Sequence, residues 1–201
     1  MTARLQSNNA PVPRLPIFHP SGEVLAWPGT FDDLLSTDAW QAVHVKPRQE
    51  KKLAADAQRM GFAGCLFLER RVRVYPGKGK QVSLVPLLGP YLFLAAPREI
   101  RFDLYRTERC VRILEVPMPA LLSADLSNLR TLIKGSTTPL LVRPEIVAGN
   151  RVTIRSGTLA GVSGTVSERK GLAMLVINLP LLGTSVSTTL PADWAELAQP
   201  A

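Results

Sequence analysis

The chain is 201 residues long, 46% hydrophobic, and carries a formal net charge of +8. That length suits one domain or two small ones with a real core, and no apolar run approaches the ~20 residues that cross a bilayer. Cys65 and Cys110 stand far apart, and His19 and His44 complete no ligand set, so the expectation is buried thiols with no catalytic residue, no metal and no cofactor.

The opening MTARLQSNNAPVPRLP lacks an apolar stretch of signal-peptide length, so a cytoplasmic protein without membrane contact is expected. Residues 1–39 are rich in Pro, Ser and Asn and read as a flexible extension, parts of which Phe18, Val24, Leu25, Trp27 and Phe31 could dock. A short strand follows at Trp40–Val45. Pro47 then suits the first turn of a helix, and from Arg48 to Met60 the apolar Leu53, Ala54, Ala57 and Met60 recur at helical spacing. At about 100° per residue, Arg48, Lys52 and Arg59 fall on one face opposite that apolar arc. The ridge is explained equally by a solvated face and by phosphate contact.

Gly61 is placed to end the helix. Strands are expected at Cys65–Leu68 and Arg70–Tyr75, then a turn PGKGK whose tip carries Lys78 and Lys80, then a return strand at Gln81–Val85. Pro86–Pro97 supplies a strongly apolar strand, a short helix is expected from Pro97 to Thr107, and Val111–Leu114 closes the block. The order βαβββαβ implies an α+β fold in which an antiparallel sheet packs its helices on one face.

In residues 117–135, Leu122, Leu126, Leu129 and Ile133 keep a helical pattern that Gly135 ends, and Ser136–Pro144 reads as a linker. Strands at Arg151–Ile154, Gly164–Ser167, Ala173–Leu179 and Thr184–Leu190 alternate around glycine turns, which suits a small barrel with Trp194 and Leu197 plugging one end. The division is thus 1–39, 40–116, 117–144 and 145–201. The positive charge is unevenly shared: residues 40–115 hold 15 Lys/Arg against 7 Asp/Glu, while 145–201 hold 4 of each. Concentrated charge is the footprint of a polyphosphate partner, and it belongs to the middle block.

Several segments together carry a family likeness. They are WQAVHVKPRQEKKLA (from Trp40), the basic-tipped hairpin and apolar strand VYPGKGKQVSLVPLLGPYLFL (from Val74), and GNRVTIRSGTLAGVSGTVSERKG (Gly149–Gly171). In this order the chain resembles the NusG family over about residues 40–197, and MLVINLPLLGTSVS (from Met174) looks closer to its specialised RfaH-like branch. The resemblance implies a NusG N-terminal (NGN) domain linked to a C-terminal KOW small β-barrel. It implies a monomeric, non-enzymatic transcription elongation or antitermination factor that binds the clamp helices of RNA polymerase and suppresses pausing or termination.

The polymerase-facing patch of the family maps to Trp40, His44, Pro86, Leu87, Leu88, Tyr91 and Phe93. For RfaH-like members, non-template DNA in the transcription bubble touches the basic helix, with Lys52, Arg59 and Arg109 at matching positions. Arg48, Lys78 and Lys80 extend that DNA-binding set. The KOW part would recruit ribosomal protein S10 or Rho. Two departures stand out: Gly89-Pro90 replaces the family's Pro-Gly, and Arg101–Leu104 (RFDL) replaces a threonine-rich patch. The alternative reading is a ribosome- or RNA-associated KOW protein without polymerase affinity.

Overall fold

The computed structural model describes residues 17–36, 39–77, 79–138, 140–144, 150–169, 172–190 and 198–200. The first sheet holds β1 (Ile17–Trp27), β2 (Trp40–Val45), β3 (Ala63–Tyr75), β4 (Gly79–Pro86), β5 (Tyr91–Ala95) and β6 (Cys110–Glu115). They lie in the order β1-β3-β5-β2-β6, with β4 also on β3. All its pairings are antiparallel.

The strand β1 corrects the expectation of a flexible extension over residues 1–39, of which residues 1–16 lie outside the described part. Its residues Gly22–Trp27 pair with Glu69–Gly64 of β3. The helical turn α1 (Phe31–Leu34) then folds onto the sheet with Phe31 and Leu34 buried. The Asp33 carboxylate accepts both the Thr30 backbone N–H and its hydroxyl, at 2.7 and 2.8 Å, which closes the N-terminus of that turn.

The helix α2 (Glu50–Arg59) begins later than its periodicity predicts, because Arg48 takes a left-handed φ of 65°. The buried Glu50 carboxylate accepts the Arg48 N–H at 3.1 Å and holds the chain in that bend. Arg48 therefore stands outside the helix and shares no helical face with Lys52 and Arg59. The other end follows the expected glycine stop. Gly61 has φ 82°, its N–H reaches the Gln58 carbonyl, and the Phe62 N–H reaches that of Ala57 at 2.9 Å.

Helices cover both faces of this sheet, not one. On β2 and β5 the residues of both faces are buried, Trp40, Ala42 and Phe93 on one side and Val43, Val45, Leu92 and Leu94 on the other. The second set packs against Leu53, Ala54 and Ala57 of α2 and Leu104 of α3 (Arg101–Arg106). The first set packs with Phe31 and Leu34 of α1 and with Leu122, Leu126, Leu129 and Ile133 of α4 (Pro119–Gly135). Strands apolar on two sides need two covers.

The second sheet is also antiparallel. Its strands are β7 (Leu141–Pro144), β8 (Asn150–Ile154), β9 (Ser163–Arg169), β10 (Leu172–Leu179), β11 (Thr184–Thr189) and β12 (Ala198–Pro200). Their order is β12-β8-β9-β10-β11-β7, and among the described residues no pairing joins the two ends into a closed barrel. The expected linker is shorter than predicted, since β7 is taken up by β11, with the Thr184 hydroxyl donating to the Arg143 carbonyl at 2.7 Å. Trp194 and Leu197 lie outside the described residues. The fold is thus mixed α+β with two antiparallel sheets, and α4 belongs to an apolar cluster that includes residues of both.

Candidate functional site

Two surfaces gather the residues singled out by sequence. On the first, β2, β5 and β6 run side by side and place Tyr91 opposite His44, and His44 opposite Arg112. The rings of His44 and Tyr91 stack with centroids 5.1 Å apart and planes 26° off parallel. Both are half-buried, Arg112 is exposed, and His44 Nδ1 has no hydrogen-bond partner among the described residues.

The rest of the expected patch divides from this row. Trp40, Leu87, Leu88 and Phe93 are 5% exposed or less. Trp40 also donates its indole N–H to the Ser123 hydroxyl of α4 at 2.7 Å. These four are core residues in this conformation and not partner contacts, because α1 and α4 cover the face to which they point. Pro86 remains half-buried at the end of β4.

The second surface is the outer side of α2. Lys52, Asp56 and Arg59 follow one another at i, i+4 and i+7, on one helical face. Arg109, in the turn before β6, reaches across to the same place. Its Nη1 donates to Asp56 Oδ2 at 2.7 Å and to the Thr107 carbonyl at 3.2 Å. Arg59 donates to the other oxygen, Oδ1, of the same carboxylate. So Lys52, Arg59 and Arg109 come together, while Arg48 is exposed at the bend before the helix. Lys80 lies exposed on the far hairpin of β3 and β4, opposite Val74, and Lys78 falls outside the described residues.

Sequence reading missed Asp56 and Arg112. An aspartate one turn after Lys52 and one turn before Arg59 was the available signal for the first. Nothing local marks Arg112, whose place depends on the pairing of β6 with β2.

Both cysteines are buried, Cys65 completely, and burial raises both thiols, Cys110 to about 11. Neither is a ready nucleophile. Among the described residues no three His, Cys, Asp or Glu side chains gather to hold a metal ion, and no helix is long and apolar enough to cross a membrane. A cleft of about 300 Å³ separates α4 from the second sheet, lined by Asp125, Asn128, Arg151 and Asn178 among others. Burial there raises the Asp125 carboxyl to about 6 against the opposing pull of Arg151.

No family model matches the chain, and no curated protein matches it. Among solved structures it is similar to one of Thermotoga maritima NusG, described as domain interaction in that protein. The identity is 15% and the TM-score 0.36, over 78% of this chain and 94% of that one. A likeness of that degree carries no weight for the function.

Proposed function

We propose that this chain is a NusG-like transcription elongation and antitermination factor of the specialised, RfaH-like kind. Its first sheet docks on the clamp helices of RNA polymerase through His44, Tyr91 and Pro86, and the outer side of α2 holds non-template DNA with Lys52, Arg59 and Arg109. It works by binding, not by catalysis, as a cytoplasmic monomer. Its second sheet serves as a KOW-type recruiting arm for a protein such as ribosomal protein S10 or Rho. The neutral charge of residues 145–201 suits a protein partner there better than RNA.

The observation that carries this reading is the meeting of Arg59 and Arg109 on one carboxylate. Residues distant in sequence, which the family resemblance expects to touch DNA, share one basic surface of the fold. The half-exposed His44–Tyr91 stack adds a rigid aromatic anchor of the type that dominates protein interfaces.

Capture by core RNA polymerase tests the reading. The wild-type chain is expected to be retained and the Tyr91→Ala variant lost, with pausing on a single-round template shortened by the wild type alone. Failure of the wild type to bind polymerase, with retention on ribosomes, would establish the alternative of a ribosome-associated binding protein.

A further inference from the structure

We infer that Asp56 is a positioning residue that sets Arg59 and Arg109 as a two-arginine cradle for one backbone phosphate of single-stranded DNA. The inference rests on the DNA-binding reading above and names the group that makes that site selective for geometry.

The layering of the charges points this way. The Asp56 side chain is 12% exposed, whereas those of Arg59 and Arg109 are 77% and 34% exposed. The anion therefore lies beneath the two cations, and an approaching ligand meets guanidinium groups and not the carboxylate. One negative charge is divided between two positive ones, so the cluster remains cationic, and Lys52 lies one turn along the same face. Arg109 is held at side chain and backbone: Nη1 donates to Asp56 and to the Thr107 carbonyl, and the backbone N–H donates to the Thr107 hydroxyl at 3.3 Å.

Such a fixed pair suits a phosphodiester, whose two free oxygens accept paired N–H groups. An arginine already immobilised loses less side-chain freedom on binding, which favours affinity without a new contact. A lone exposed arginine gives charge; a braced pair gives charge and direction. The structural alternative, a salt bridge that merely ties α2 to the turn before β6, predicts no link to DNA.

The two accounts part on the effect of removing the negative charge. Asp56→Asn raises the net charge by one, so simple electrostatics makes DNA binding tighter. The cradle makes it weaker, by ~5-fold, because two arginines lose their brace. Binding of a fluorescent 12-nucleotide oligo-dT is measured by anisotropy at fixed salt, with circular dichroism on each variant. Weaker binding by a folded Asp56→Asn, with Asp56→Glu falling between it and the wild type, supports the cradle. Equal or tighter binding by Asp56→Asn overturns it while leaving the DNA-binding reading intact. No binding by the wild type overturns both.

A second measurement needs no variant. Side-chain N–H resonances of Arg59 and Arg109 in the wild type should shift together during the titration, with one apparent Kd. DNA binding that leaves both unmoved overturns the cradle.

Discussion

Arg130 of α4 stands over the ring of Phe31, 5.1 Å from its centroid, and from there its guanidinium forks onto both carboxylate oxygens of Asp32. One side chain thus fastens α1 to α4 across the face of the first sheet. Arg130→Gln removes the cation and is expected to cost about 1 kcal/mol through the ring contact. That corresponds to a fall of ~2–4 °C in thermal midpoint, read by circular dichroism.

The pH dependence of this clasp follows from Asp32. The hydrogen bond from Arg130 is the chief cause that holds its carboxyl below the ordinary 3.8. A lowered carboxyl contributes stability above the unfolded value, lost as pH falls through the folded one. The stability gap between wild type and Asp32→Asn is therefore expected to be constant at neutral pH and to close only below about pH 3.8. Urea midpoints at a series of pH values check this.

Asp125 behaves oppositely. Burial raises its carboxyl to about 6, so its protonated form favours the folded state. That stability is fully present below the ordinary value of 3.8 and is lost as pH rises through about 6. Asp125→Asn is expected to be near-neutral at pH 4 and stabilising at pH 7.5. The gain is on the order of 1 kcal/mol, discounted for the partial exposure of the group. Denaturant midpoints at the two pH values decide it.

Gly135 ends α4 where no side chain fits. A Cβ there would press on the Thr158 carbonyl and lie 2.9 Å from the Leu159 side chain. The Thr158 hydroxyl also donates to the Gly135 carbonyl at 2.5 Å. Gly135→Ala should push α4 away from the second sheet and cost about 1–3 kcal/mol through overpacking. A lower urea midpoint, with shifted amide resonances at residues 157–162, is the expected result.

DNA binding should carry a salt signature. With Lys52 neutralising one phosphate of a single strand and Arg59 and Arg109 sharing a second, log K is expected to fall against log salt with a slope of about −1.4. Lys52→Ala should bring that slope nearer zero by ~0.7. Oligo-dT titrations at four salt concentrations measure it, and an unchanged slope would remove Lys52 from the interface.

Much of the architecture was legible because period and punctuation agree locally. The strand Trp40–Val45 and the Gly61 stop appear where the sequence predicts them. The leucine pattern of 117–135 becomes α4. What escaped depends on distant partners. In β1, Pro20 and Gly22 break the alternation, and the register against β3 shifts between Phe18 and Gly22, so no period-2 signal marks it.

Arg48 looks helical by spacing, yet its backbone turns left-handed under the pull of Glu50, which a helical wheel does not register. The candidate site divided in the same way. The basic face of α2 was visible in the chain, but its carboxylate support requires Arg109, 53 positions away from Asp56. Trp40 and Phe93 carry the right chemistry for a docking face, and the places of α1 and α4 make them interior.

The helix α4 has a consequence of another kind. Its leucines belong to the same apolar cluster as Phe93 of the first sheet and Leu175 of the second. The first sheet keeps a further cluster of its own with α2 and α3, but the second sheet shares its apolar residues with α4, so detaching it leaves an oily flank of the helix facing water. The two halves therefore form a single cooperative unit, and a calorimeter should record one heat-absorption peak instead of two.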